Sequence, residues 1–280
     1  HIEVMSKSLG YDLGGAQLLG IHLEGPFLSP SKRGMIQPQA ICRPSSAVVD
    51  EILAKSGGML RMMTIAPELE GALETIGALR GHGVVASFGH SSASYQETRR
   101  GIDAGISHVT HLFNAMNPLH HRSPGPILAI LESKVTAQVI SDGVHIDPGI
   151  VRLAASLLGE NRCVLISDGT RAFGVQDGVY QYDGMEFESR DGVCRYADGT
   201  LVGTAVGLNQ LGKRFLSFTG WPYQALAKVA SSNPAGVLSL AKKKGSIAAG
   251  KDADLVLLNR DLSVWKTLVG GRAVYESPDR

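Results

Sequence analysis

Short apolar runs alternate with helical periodicity over roughly the first 170 residues. The runs at 18–23, 60–66, 84–88, 108–112, 135–141 and 163–167 read as buried strands. Between them, Leu69, Leu73, Ile76 and Leu79 fall on one helical face, and Ile150, Leu153, Ala154, Leu157 and Leu158 on another. Strands alternating with such helices predict a parallel sheet of βα units. Several runs lead into a residue with metal or proton chemistry: Glu24, His90, His111, His145 by way of Asp142, and Asp168. In a parallel α/β barrel the strands' C-terminal ends open on one rim, where sites are built. The pattern therefore predicts an α/β fold of the (β/α)8 TIM-barrel type with its chemistry on that rim.

Six such units are two short of a closed barrel. The chain also opens at His1 with what reads as the inside of a helix, so the N-terminal strands of the barrel are expected to be missing from it. After Asp168 the texture changes. Asp-Gly pairs begin at Asp177, Asp183, Asp191 and Asp198 and separate short, partly alternating runs, which is a hairpin signal. The ligand spacing of a calcium loop is absent from them. Helical patterns return at 208–218 and 223–240, the second broken at Asn233-Pro234. Runs at 254–258, 265–269 and 272–275 with Gly270-Gly271 read as three final strands. The expected organisation is a partial barrel over 1–245, with a β-hairpin insertion near 175–204, and the strands of a small β-sandwich appendage over 246–280.

Composition narrows the partners. With 27 basic and 26 acidic residues the net charge is +1, which points away from nucleic acid and membrane surfaces and toward a small-molecule substrate. No apolar stretch reaches the ~20 residues of a membrane span. Cys42, Cys163 and Cys194 lack metal-ligand spacing and predict reduced thiols in a cytoplasmic protein. The chain has no Gly-x-Ser-x-Gly elbow, phosphate-binding P-loop or paired Cys-x-x-Cys motif.

Taken singly, each candidate has an ordinary reading. Glu24, before Gly25-Pro26, could be a turn acid; His90 and His111 could be histidines satisfied in a core. Together they offer one carboxylate oxygen and two imidazole nitrogens, a donor set suited to zinc, with iron, manganese and cobalt also able to accept it. Asp168 ends the last barrel-type strand and suits a general base that later acts as an acid. His145 and Arg122 lie in loops after strands and suit an anion, although Arg122 also reads as a solvated surface charge.

At these residues the sequence resembles the amidohydrolase superfamily and, within it, the N-acetylglucosamine-6-phosphate deacetylases. The resemblance rests on HLEGPF at 22–27, GHS at 89–91, THLFNAM at 110–116, His120-His121-Arg122, DGVH at 142–145, NPA at 233–235 and KGSIAAGKDADLVL at 244–257. It implies that Glu24, His90 and His111 ligate a divalent metal, zinc foremost, and that Asp168 is the catalytic base and acid. It also implies substrate contacts from Asn114, Ala115, His145, Leu201 and Gly203, and a homodimer in which Arg122 reaches the phosphate in the neighbouring subunit. The implied reaction removes the acetyl group from an N-acetyl amino sugar 6-phosphate. Departures fall in the substrate shell: Gly34-Met35-Ile36-Gln37-Pro38 has Ile36 where the family carries a histidine, and Leu201-Val202-Gly203-Thr204 replaces Leu-Ala-Gly-Ser. The superfamily's early His-x-His strand is not in this chain, which leaves one metal or two open. Alternative readings are an amidohydrolase of another amide or cyclic imide, or a non-catalytic sugar-phosphate binder; retention of Asp168 argues against the binder.

Overall fold

The computed structural model describes residues 2–8, 11–12 and 14–278; His1 and Arg280, the outer bounds of the two expected units, lie outside them. Six strands, β1 (Ile21–Glu24), β2 (Leu60–Ile65), β3 (Val85–Phe88), β4 (His108–Val109), β5 (Thr136–Val139) and β6 (Cys163–Leu165), form one parallel sheet in chain order. Each lies within or overlaps one of the six apolar runs. Among the described residues β1 and β6 do not pair with each other, so the sheet stays open. Because every connection returns to the neighbouring strand in the same direction, all the strand C-termini share one rim.

The helices are α1 (Ile2–Lys7), α2 (Ser46–Ser56), α3 (Ala72–Gly81), α4 (Tyr95–Ala104), α5 (Gly125–Glu132), α6 (Pro148–Arg162) and α7 (Leu208–Thr219). Helix α4 starts at a capping box. The Ser94 hydroxyl accepts from Glu97 N–H, and the Glu97 carboxylate accepts from Ser94 N–H, so two orphan donors are satisfied just after the His90 loop. The core includes Ile65, Ile76, Leu79, Phe88, Ile127, Ala154 and Ala155.

Helix α6 corrects the sequence reading. Its buried face is Val151, Ala154, Ala155 and Leu158, whereas Ile150, Leu153 and Leu157 are exposed. The apolar arc is wider than the face that packs: Ala154 and Leu158 of the expected face turn inward with Val151 and Ala155, while Ile150, Leu153 and Leu157 do not. The stretch after α7 also differs from expectation. Helix α8 (Tyr223–Ala227) continues through a π-turn at Lys228–Ser232 into α9 (Asn233–Val237), with Pro234 opening the last turn, where it needs no donor, instead of ending the helix.

A second sheet, antiparallel, contains β7 (Gly178–Tyr182), β8 (Met185–Arg190), β9 (Val193–Arg195) and β10 (Leu201–Thr204). Asp183-Gly184 and Asp191-Gly192 make two-residue connections with positive φ at both positions, as the twist of a tight hairpin requires. Phe187, Cys194, Tyr196 and Val202 bury a small core of their own, against which Met35 packs. The third sheet is β11 (Leu255–Leu258), β12 (Val264–Val269) and β13 (Arg272–Glu276), turned at Gly270-Gly271. Among the described residues no helix is long and apolar enough to cross a membrane.

Candidate active site

Glu24 is the last residue of β1, His90 lies two residues past β3 and His111 two past β4. Their side chains meet. Glu24 Oε1 is 2.9 Å from His90 Nε2 and 2.8 Å from His111 Nε2, and the two imidazole nitrogens are 3.1 Å apart. Both histidines are buried, while the Glu24 side chain keeps 36% of its surface open to the rim.

The hydrogen bonds around the cluster fix what it can hold. His90 Nδ1 lies 2.8 Å from the carbonyl oxygen of Lys32, which can only accept, so Nδ1 carries the proton and neutral His90 turns a lone pair from Nε2 toward Glu24. A lone pair facing a carboxylate oxygen is unfavourable unless a proton or a cation lies between them. Three donor atoms 2.8–3.1 Å apart approach the roughly 3.3 Å edge of a tetrahedron with metal–ligand bonds of about 2.0–2.1 Å. The group fits a divalent metal, and the Nδ1-to-carbonyl bond is the usual outer support of such a ligand. His111 Nδ1 is buried and, among the described residues, has no hydrogen-bond partner.

The electrostatics agree. Burial opposes ionisation of Glu24, but a positive charge on the facing imidazoles, His111 first and then His90, outweighs it and holds the carboxyl well below its ordinary range; with the ring nitrogens neutral, a bound cation would supply that charge. Burial likewise opposes protonation of His111, yet Glu24 and Asp168 raise its pKa. The carboxyl of Asp168, three residues past β6, is pushed up by burial, and it feels the charges of His111, Glu24, His145 and His90. An acid that is partly reluctant to ionise and sits beside a metal-type cluster can take and return a proton.

Backbone strain concentrates here. His90 (φ +49°), His111 (+28°), Phe113 (+78°), Ala115 (+51°) and Asp168 (+49°) all lie in the left-handed region. Such residues persist only where surrounding contacts over-determine them. Around His111, its N–H donates to Gln138 Oε1, and Leu112 N–H donates to the Gln138 carbonyl. Ser91 N–H donates to the Ala115 carbonyl, joining the His90 and His111 loops. Around Asp168, Thr204 of β10 makes three bonds: its N–H donates to the Asp168 carbonyl, its hydroxyl to the Ser167 carbonyl, and its own carbonyl accepts from Thr170 N–H. The hairpin sheet therefore grips the Asp168 turn through its last strand.

Among the other candidates, His145 is buried and bonded through Nδ1 to Asp142 Oδ2 at 2.6 Å, which leaves Nε2 as its free nitrogen. The Asn114 amide turns back onto the carbonyls of His111 and Leu112. Gly203 abuts the Asp168 carbonyl, and Leu201 opens the same strand. Arg122 sits on an exposed turn bridged by His120 and Ser123, and among the described residues its guanidinium has no hydrogen-bond or ion-pair partner. Ile36 is half-buried in the loop after β1.

The sequence reading did not single out Gln138 or Glu68, and it noted Thr204 only as a departure from the family's Leu-Ala-Gly-Ser. The Glu68 carboxylate accepts from Ser91 Oγ, Ser92 N–H and Ser92 Oγ. No periodicity or motif spacing could have separated it from a surface acid.

An open parallel sheet with a carboxylate–imidazole cluster and an aspartate on its C-terminal rim is the arrangement of a metal-dependent hydrolase. The Amidohydrolase family matches residues 12–274, and the chain belongs to that family. Among its relatives are several amino sugar phosphate deacetylases. The N-acetylglucosamine-6-phosphate deacetylase of Bacillus subtilis (strain 168) is 38% identical over 267 residues, 95% of this chain and 67% of the relative. The N-acetylgalactosamine-6-phosphate deacetylase of Escherichia coli O157:H7 is 35% identical over 92% of this chain and 68% of its own length. The Mycobacterium smegmatis N-acetyl-D-glucosamine-6-phosphate deacetylase, solved with N-acetyl-D-glucosamine-6-phosphate, superposes with a TM-score of 0.87 at 40% identity, over 91% of this chain and 68% of that one. The Pasteurella multocida N-acetylglucosamine-6-phosphate deacetylase gives a TM-score of 0.90 at 31% identity, over 97% and 71%. The chain thus spans about two-thirds of the length of these relatives.

Proposed function

We propose that this chain hydrolyses the acetamido group of an N-acetyl amino sugar 6-phosphate, N-acetylglucosamine 6-phosphate foremost, releasing acetate and the amino sugar phosphate. The observation that carries the reading is the convergence of Glu24, His90 and His111 within hydrogen-bonding distance of one another, with Asp168 on the same rim. Glu24, His90 and His111 would hold the metal; zinc suits one carboxylate and two imidazoles, and iron, manganese or cobalt could replace it. When bound, a divalent metal polarises the amide carbonyl and makes water a better nucleophile.

The chain's own residues do the rest. An Asp168 carboxylate oxygen accepts the proton of the attacking water and hands it to the departing amine nitrogen, so acid and base are one group. The Asp142 carboxylate holds the His145 ring by Nδ1 and directs Nε2 toward the sugar phosphate, to which the ring donates in its doubly protonated form. Asn114, Ala115, Leu201 and Gly203 are assigned to the sugar. Binding a dianionic phosphate away from the scissile bond lets affinity be used for orienting the amide. The Arg122 guanidinium, without a hydrogen-bond or ion-pair partner among the described residues, is assigned to the phosphate in the second subunit of a homodimer. The catalytic unit is assigned to 1–245 and the C-terminal strands to a small β unit over 246–280. Three unpaired thiols, two of them buried, are in keeping with a cytoplasmic enzyme.

The test is acetate release from N-acetylglucosamine 6-phosphate, compared with the galactosamine epimer and with unphosphorylated N-acetylglucosamine, before and after chelation. Release that depends on both the phosphate and the metal is expected. Activity that persists in protein shown by elemental analysis to be metal-free would remove the proposed chemistry, and hydrolysis of other amides alone would remove the proposed substrate.

A further inference from the structure

Strand β2 is the one member of the first four whose end carries no metal-type ligand. Its chain continues through Ala66-Pro67 to Glu68, a half-buried carboxylate. Glu68 Oε2 accepts from Ser91 Oγ at 2.6 Å; Oε1 accepts from Ser92 N–H at 2.6 Å and from Ser92 Oγ at 3.1 Å. Among the described residues, every side-chain hydrogen bond of Glu68 goes to this one turn. It immediately follows His90, whose φ of +49° is a costly conformation for a residue with a Cβ.

The remaining contacts of the turn show why a carboxylate is needed there. The Ser91 hydroxyl, having given its proton to Glu68, accepts from Ala93 N–H. The His90 carbonyl accepts from Ser29 N–H, and the Ser92 carbonyl from the Asn117 side-chain amide. Those bonds tie the carbonyls of the turn to the loops after β1 and β4. Two hydroxyls and one N–H converge on the Glu68 carboxylate, whose two oxygens take all three; of these the Ser92 hydroxyl also lies 3.1 Å from Ser29 Oγ, so the Ser91 hydroxyl and Ser92 N–H are the donors that rely on Glu68 most. Bonds to an ionised acceptor are also the strong ones. Loss of Glu68 would remove the acceptor of Ser91 Oγ and Ser92 N–H and leave the turn to its bonds with Ser29, Ala115 and Asn117, which loosens the backbone that aims the His90 imidazole at the Glu24–His111 pair.

We propose that Glu68 is a positioning residue for the metal centre, holding the His90–Ser92 turn so that His90 Nε2 meets Glu24 and His111. The proposal rests on reading those three residues as a metal site. It is tested by measuring the zinc dissociation constant of the metal-stripped protein by competition with a chromogenic chelator. Wild type, Glu68→Ala, Glu68→Gln, His90→Ala and the double variant of Glu68→Ala with His90→Ala are compared, each checked for fold by circular dichroism. Outer-shell supports cost 10–100-fold in metal affinity when removed, so Glu68→Ala should weaken zinc by about that factor. Glu68→Gln, which keeps an acceptor for Ser92 N–H, should fall between it and wild type. In the His90→Ala background the Glu68 effect should shrink to within about twofold, because the group through which it acts is gone. A purely structural role would lower the melting temperature with the dissociation constant unchanged, or would cost the same with and without His90; either result overturns the proposal. Should Glu68→Ala fail to fold, Glu68→Gln with wild-type zinc affinity overturns it equally. Wild-type protein that binds no zinc would instead overturn the metal reading, and the proposal with it.

Discussion

Gly203 is where the hairpin sheet and the proposed proton carrier can be separated by one carbon atom. Its φ is +122°, and a Cβ built there would lie 2.5 Å from the Asp168 carbonyl oxygen and 3.0 Å from Thr170 Cγ2. Ordinary contact lies near 3.5 Å, so Gly203→Ala must push β10 and the Asp168 turn apart by on the order of 1 Å. The insertion adds about 1–3 kcal/mol of overpacking, and the positive φ about 1–3 kcal/mol more. At roughly 2–4 °C per kcal/mol for a chain of this size, the melting temperature should fall by about 5–20 °C. The larger signal is in turnover: a displacement of 1 Å at a reacting group costs about 100-fold, so kcat should drop by that order. Zinc content should stay at the wild-type level, because the seam's hydrogen bonds and close approaches are to Ser167, Asp168 and Thr170 and not to the three cluster residues. The assay is acetate release with metal analysis on the same samples at a temperature where the variant is fully folded. A folded Gly203→Ala protein with wild-type kcat would refute the idea that β10 sets the position of Asp168.

Two further outcomes follow from the site and the core. Asp168→Asn should lose about 10²–10⁴-fold in kcat while retaining its metal, and because burial raises the Asp168 pKa, the acid limb of wild-type kcat should lie above the ordinary carboxylate range near 3.8; loss of metal along with activity would make Asp168 a ligand instead. His108 is buried, bonded to Thr136 Oγ1, and pushed down to about 3. The unfolded chain therefore takes up this proton first, and stability present above pH 6.5 should be lost at about 1.4 kcal/mol per unit as pH falls toward 3. Urea unfolding at pH 7 and pH 5 should show about 2 kcal/mol from this group, a slope that His108→Asn removes, and equal slopes in both proteins would contradict it.

The strand ends were legible because burial on both faces writes a strand as an apolar run, and a functional side chain on the rim is the residue that breaks it. Glu24, His90, His111 and Asp168 became candidates in that way, and the structure brings them together on one rim. The Asp-Gly hairpins were legible because two positive φ values in succession leave few residue choices. The face of α6 was not, since Ile150, Leu153 and Leu157 satisfy helical periodicity as well as the residues that pack; which side turns inward depends on how closely the helix approaches the sheet. Glu68 was not legible either. Its role depends on a turn 23 residues further along folding back to it, and no local spacing records that meeting. The grip of Thr204 on the Asp168 turn belongs to the same kind, a contact made across 36 residues by backbone groups that every residue carries.

The left-handed backbone at five rim residues has a consequence for how this protein tolerates change. Relaxing any of them to glycine would remove a conformational penalty of order 1–3 kcal/mol, and at Ala115 that relief deletes only a methyl group. At His90, His111 and Asp168 the same substitution erases the proposed metal ligands and proton carrier. Selection for a hardier fold and selection for a working rim therefore pull in opposite directions at these three positions, and compensating substitutions are to be sought in the helices and the small β-sheets instead.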